Sequence, residues 1–241
     1  MTQCELADGC NGSAILERLR QVLDPELDEP ILQLGFVRSL QIRDGDAVIA
    51  LQLPTSWCAV NFAWLMAEDV RRALTAIDGI DNVTVRLGDH CAAAQIEAAV
   101  NGEKTFAEAF PGEGFGSPEA LRRVFLRKGF LVRQERLLRE LRTAGLSPAA
   151  ICDLHLADVS VGSETPRRYL ERRAELALDC SPTAPLIVNL DGNKLSVERL
   201  ETYYRDARTV RVAIEANGSF CRALLAARDR DESAGGDDVP T

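Results

Sequence analysis

The 241-residue chain carries a net charge of −9, with 27% charged and 46% hydrophobic residues. That is a globular composition with length for one large domain or two small ones, and its sign argues against nucleic-acid binding, which needs a clustered cationic face. No apolar run reaches the roughly 20 residues that cross a bilayer, the first residues lack the basic start and apolar centre of a signal peptide, and seven cysteines without a C-x-x-C pair support neither a disulfide framework nor a zinc ribbon. The expectation is a cytoplasmic protein that engages neither membrane nor nucleic acid.

Residues 1–11 are polar and read as a disordered start. From Ser13, a candidate N-cap, the apolar residues Ile15, Leu16, Leu19 and Val22 predict an amphipathic helix. Asp24-Pro25-Glu26 stops it in a turn. Pro30 opens a second short helix, which Gly35 closes. Two strands are expected next, at 36–42 and 47–53, joined at Asp44-Gly45-Asp46, the strongest hairpin signal in the chain. Pro54 ends the second strand, and 55–58 form a loop. Ala63, Met66, Val70, Leu74 and Ile77 recur at helical spacing over 60–77. A turn at Asp78-Gly79 leads to a third strand at 83–87. This order predicts an α/β (α+β) N-terminal domain, residues 12–90, with a small three-stranded mixed sheet and two to three helices.

Residues 91–117 are Gly-rich in their second half and read as a linker that Phe106 and Phe110 can pin to one domain. Beyond it, 118–228 reads as a mainly helical C-terminal domain with a few short strands. Long helices are expected at 118–142, 165–178, 196–206 and 216–227, a helix opened by Ser147-Pro148, and strands at 186–190 and 210–214. Residues 229–241 read as a disordered acidic tail.

The charge is uneven: residues 1–100 hold 7 Lys/Arg against 15 Asp/Glu, a net −8. The arginine-rich stretch 122–142 is laced with Glu119, Glu135 and Glu140 and reads as an exposed helix face rather than a DNA-binding stripe.

Cys58 is the candidate for chemistry. It stands where a loop enters a helix, where unpaired backbone N–H groups and the positive end of the helix dipole favour the thiolate, the form that ligates iron. The alternative is an inert, buried thiol. Asp24 and Glu26 also have two readings: a helix stop and turn, or carboxylates that pack beside the cysteine loop and face a metal. Asp89-His90-Cys91 holds ligand-type residues, but neighbours on extended chain point to opposite faces, so it reads as an exposed strand end. Cys152 and His155, three apart on a helix, read as core packing. Cys4, Cys10, Cys180 and Cys221 have no ligand spacing. There is no complete Ser-His-Asp or Cys-His-Asn set and no P-loop, so the chain reads as non-enzymatic.

Taken in order, Asp24-Pro25-Glu26-Leu27, Leu34-Gly35-Phe36-Val37, Thr55-Ser56-Trp57-Cys58 and Gly79-Ile80 before Val83-Thr84-Val85 resemble the PaaD/SufT-like iron–sulfur (metal–sulfur) cluster assembly domain family over about residues 12–90. The resemblance implies that Cys58 handles the metal, with Asp24 and Glu26 beside it. The family usually has proline directly after this cysteine, where this chain has Ala59. The run from Ile96 to Phe110, and Glu215-Ala216-Asn217-Gly218 with Phe220-Cys221-Arg222, look like longer bacterial members with a helical C-terminal region, which are associated with multicomponent diiron monooxygenases. The resemblance implies a chaperone-like assembly factor that holds an iron–sulfur cluster or iron transiently and serves in metalloenzyme maturation, with a client apoprotein as partner. One cysteine cannot build a four-thiolate cluster, so ligands from a client or a homodimer are implied. The alternative is a metal-free adaptor or chaperone for a monooxygenase subunit. Residues 144–159 and 191–196 also bear a likeness to part of a tyrosine-recombinase core, but Ser147 falls where its first catalytic arginine would stand, so no DNA cleavage is expected.

Overall fold

The computed structural model describes residues 3–6, 12–112, 117–160 and 162–234. Its first elements are β1 (Gln3–Leu6), α1 (Gly12–Arg20), β2 (Leu23–Asp24), β3 (Glu29–Pro30), β4 (Val37–Arg43), β5 (Asp46–Gln52), α2 (Val60–Thr75), β6 (Asn82–Gly88), α3 (Ala93–Asn101) and α4 (Phe106–Ala109). They are followed by α5 (Pro118–Thr143), α6 (Pro148–Asp153), a 3₁₀ turn (Leu156–Asp158), α7 (Glu164–Glu175) and α8 (Val197–Ala234). The chain divides into two compact units: residues 1–121 with 217–241, and residues 122–216. The second unit thus interrupts the first, where the sequence suggested a simple succession of domains.

The first unit is a two-layer α/β structure. Its mixed sheet has the order β1-β4-β5-β6, with β4 antiparallel to β5 and both outer pairs parallel. The three expected strands are β4, β5 and β6, and β1 adds a fourth. Asp44 (φ 50°) and Gly45 (φ 84°) both take left-handed conformations between the paired Arg43 and Asp46, the two-residue type I′ turn whose twist suits a hairpin. Leu40, Ile42, Ala47, Ile49, Leu51, Val85 and Leu87 face inward, and α2 covers them with Ala63, Met66, Ala67, Val70 and Leu74.

The short helix expected after Pro30 is a single turn. Phe36 N–H donates to Ile31 O and Gly35 N–H to Leu32 O, a complete Schellman closure around Gly35 at φ 77°. The expected stop signal is present, but only one turn precedes it, and β3 claims Glu29 and Pro30 for a two-residue ladder with β2.

Residues 91–112 are not a free linker. Helix α3 buries Ile96, Ala99 and Val100 in the same core. The Asn101 side chain accepts from Val85 N (2.8 Å) and donates to Val85 O (2.9 Å), and Glu97 accepts from Leu87 N (2.7 Å). These side chains stand in for the strand that edge strand β6 lacks. Thr105 and Glu108 form a capping box on α4, which sets Phe106 and Phe110 edge-on to Trp64, with ring centroids 5.6 and 6.5 Å away.

The second unit is helical around Phe130, Leu137, Leu138, Ile151, Tyr169, Leu186, Val188, Leu195 and Leu200. The expected strand at 186–190 is reduced to an isolated bridge between Val188 and Lys194. The expected strand at 210–214 is helical, part of α8: Ala207 and Ile214, two turns apart, are buried, so a helical packing face outweighs the β preference of Val210, Val212 and Ile214. Helix α8 runs on through Ala234, past the expected start of a tail at 229; residues 235–241, like most of 1–11, lie outside the described residues.

Candidate functional site

Strand β5 delivers the chain to buried Leu53 and Pro54, and the loop to Ala59 presents Cys58 half-buried. Ala59 is the N-cap of α2, with φ −56° and ψ 130°, so Cys58 stands one residue outside the helix cap. That φ is one a proline ring would fix: Ala59 keeps the backbone course of the missing proline without its covalent restraint. The Cys58 sulfur lies 3.2 Å from the Thr55 hydroxyl.

The segment after β6 braces this loop. His90 is buried. Its Nδ1 accepts from Ala92 N–H (3.2 Å) and its Nε2 lies 2.8 Å from the Cys58 carbonyl oxygen, so the proton sits on Nε2 and is donated to Cys58. Cys91 N–H donates to Ser56 O at 2.7 Å. Both His90 nitrogens are thereby engaged. The residue expected at an exposed strand end instead holds the cysteine loop, while Cys91 is exposed.

Asp24 serves the turn of its first reading, with no helix following it: its Oδ1 accepts from Glu26 and Leu27 N–H, both at 2.8 Å. Burial pushes its carboxyl up to about 6, against the pull of those two N–H donors. Glu26 is met by α8, whose Asn217 side-chain amide donates to it at 3.2 Å. One turn on, Arg222 pairs with Glu29 at 2.8 Å. A Cβ on Gly35 would stand 3.4 Å from the Leu225 side chain. Arg228 donates to Leu53 O (2.7 Å) and to Asp89 (2.5 Å). The end of α8 therefore lies along the Asp24–Glu29 turn and the entrance to the Cys58 loop.

This contact brings in Cys221, to which the sequence assigned no role. It packs half-buried against the same apolar core as Cys58. Burial pushes its thiol up to about 11, and negative charge at Asp24, Cys58 and Glu26 adds to the rise while Arg222 opposes it. Cys152 packs in the core as expected, with its thiol raised by burial; His155 does not, because α6 ends at Asp153 and leaves it exposed beside Asp158 at the 3₁₀ turn. Cys180 is exposed, and Cys10 lies outside the described residues. Among the described residues no three His, Cys, Asp or Glu side chains are grouped to hold a metal ion.

Residues 13–87 match the family described as iron–sulfur cluster assembly protein. Over 74 residues the chain is 31% identical to the iron–sulfur cluster carrier protein of Synechocystis sp. (strain ATCC 27184 / PCC 6803 / Kazusa). That alignment covers 31% of this chain and 20% of the relative, so the chain spans about a fifth of the carrier protein it matches. The assembly-domain resemblance read from the ordered motifs is thus found independently over β4, β5, β6, α2 and the Cys58 loop. No helix among the described residues is long and apolar enough to cross a membrane.

Proposed function

We propose that this protein is a non-enzymatic iron–sulfur assembly or transfer factor whose Cys58 thiolate contacts the cargo, a cluster or an iron ion, in transient occupancy. The observation that carries this reading is the family match over 13–87 around a cysteine on a loop held by the His90 side chain and the Cys91 N–H. The donors near it suit iron: soft thiols from cysteine and harder carboxylates at Asp24 and Glu26. Because no three His, Cys, Asp or Glu side chains are grouped to hold a metal ion among the described residues, the cargo would stay open to a client's own ligands, which favours hand-off over storage. The client would be the apoprotein of a metalloenzyme; a multicomponent diiron monooxygenase is the specific candidate, with the C-terminal region as the recognising part.

Anaerobic reconstitution of the full chain with iron and sulfide tests this. Wild type should retain iron and develop visible absorption, and Cys58→Ala should lose most of both. Equal iron content and identical spectra for the two proteins would remove Cys58 as a ligand. The acidic first hundred residues support a second reading, a metal-free adaptor. Co-purification with a hydroxylase subunit that is undiminished in Cys58→Ser, together with no iron retention by wild type, would favour it.

A further inference from the structure

Cys58 and Cys221 are far apart in sequence, yet both belong to the first unit and abut the same core. Asn217, Cys221, Leu225 and Arg228 recur at steps of four, four and three residues and so form one stripe of α8. Three of the four have fixed partners: Asn217 on Glu26, Leu225 against Gly35, and Arg228 on Leu53. Cys221 is therefore held between the Asp24–Glu26 turn and the start of the loop that ends in Cys58. Both thiols are half-buried.

We propose that Cys58 and Cys221 form a two-thiol site for a soft metal cargo, in which α8 supplies the second sulfur ligand that the assembly domain lacks. On binding, each thiol gives its proton to solvent and forms one sulfur–metal bond in place of a metal-bound water, with no change in oxidation state. A metal held by two sulfurs keeps its remaining positions free for a client's ligands. The identity of the cargo as iron or a cluster rests on the function proposed above; the pairing of the thiols does not.

Cadmium ion is the probe, because it binds thiolates tightly without redox chemistry. Full-length wild type, Cys58→Ser, Cys221→Ser and the exposed-thiol control Cys180→Ser are titrated against a competing chromophoric chelator, and sulfur-to-cadmium absorption is recorded. Cys58→Ser and Cys221→Ser should each weaken binding by more than the roughly 10–100-fold that loss of an outer-sphere partner costs, and each should halve the charge-transfer band. Cys180→Ser should match wild type. A Cys221→Ser protein that keeps both wild-type affinity and the full band overturns the pairing.

If Cys221→Ser does not fold, wild type is treated with phenylarsine oxide, which bridges two close thiols, and alkylation is mapped by mass spectrometry. Joint protection of Cys58 and Cys221 supports the site, and protection of neither overturns it. Iron reconstitution separates the two proposals. Cadmium held by the pair with no iron retained leaves the site standing and removes the iron cargo. Iron retained equally by wild type and Cys221→Ser, but lost in Cys58→Ala, leaves the cargo reading and removes the pair.

Discussion

In the first unit the core between sheet and helices is apolar, and its buried polar groups sit at the rim: Asp24 under its own turn, His90 behind the Cys58 carbonyl. In the second unit the polar groups occupy the centre. Gln134 bonds both the N–H (3.2 Å) and the C=O (2.8 Å) of Val188, and Tyr169 reaches Gln134 and Leu186 O. Arg173, almost fully buried, donates to Asp179 O, Pro185 O and Tyr169. Glu135 and Arg211 form a buried ion pair at 2.8 Å that is not aligned as a hydrogen bond. The two sets of polar groups have different roles. In the second unit they stand in for the regular ladder that 186–190 does not form and serve architecture. At the rim of the first unit they serve local loops: Asp24 closes its own turn and His90 holds the Cys58 loop.

The hardest test of that contrast is Arg173→Ala. It removes the donor of Asp179 O and Pro185 O and one of the two donors of Leu186 O, at about 1–3 kcal/mol for each group left unpaired, so a loss of about 2–5 kcal/mol is expected. Both tryptophans, Trp57 and Trp64, lie in the first unit, and all three tyrosines, Tyr169, Tyr203 and Tyr204, in the second. Tyrosine near-ultraviolet circular dichroism should therefore melt well before tryptophan fluorescence changes. Equal shifts of both signals would show that the polar centre does not serve the second unit in particular.

A smaller effect is expected at Asp24. Its carboxyl is raised from 3.8 to about 6 in the folded chain, so between those values the folded state holds more proton than the unfolded state. Stability then falls as pH rises from about 4 through 6, by on the order of 2–3 kcal/mol. Asp24→Asn keeps an acceptor for the Glu26 and Leu27 N–H groups without acquiring charge. Urea midpoints at pH 4.5 and 7.5 should show the variant more stable than wild type at the higher pH and close to it at the lower. A variant less stable at pH 7.5 would mean that the charge itself is needed at the rim.

The smallest effect is Thr105→Ala. It removes the α4 capping box and should cost about 1 kcal/mol, read by the fluorescence of Trp64, on which α4 packs. No change would return residues 102–112 to the status of a linker.

Much of the first unit is legible in the sequence. Asp44-Gly45 marks the hairpin because few residues tolerate two consecutive positive φ angles, and the 3.6-residue recurrence from Ala63 to Leu74 marks α2 because one helix face must meet the sheet. Gly35 reads as a stop signal and is one, although the element it stops is a single turn long. Helix α3 is not legible, since its apolar residues are mostly alanine and the Gly-rich run after it dominates the window. The strands expected at 186–190 and 210–214 fail for a common reason: short β-branched runs suit a strand or a buried helix equally, and the partner decides.

The same division holds at the site. The ordered motifs around Cys58 are readable because they are local: a turn, a hairpin, a loop before a helix, each held by near neighbours in the chain. Cys221 is not readable as part of that site. Its nearest sequence neighbours say only that it lies on a helix, and nothing local says where that helix lands. Its place is decided by Asn217 meeting Glu26, Leu225 meeting Gly35 and Arg228 meeting Leu53, contacts across well over a hundred residues of chain. Local sequence determined that one thiol would be presented at a helix entrance; only tertiary packing, through the face that α8 buries, determined that a second thiol packs against the same core.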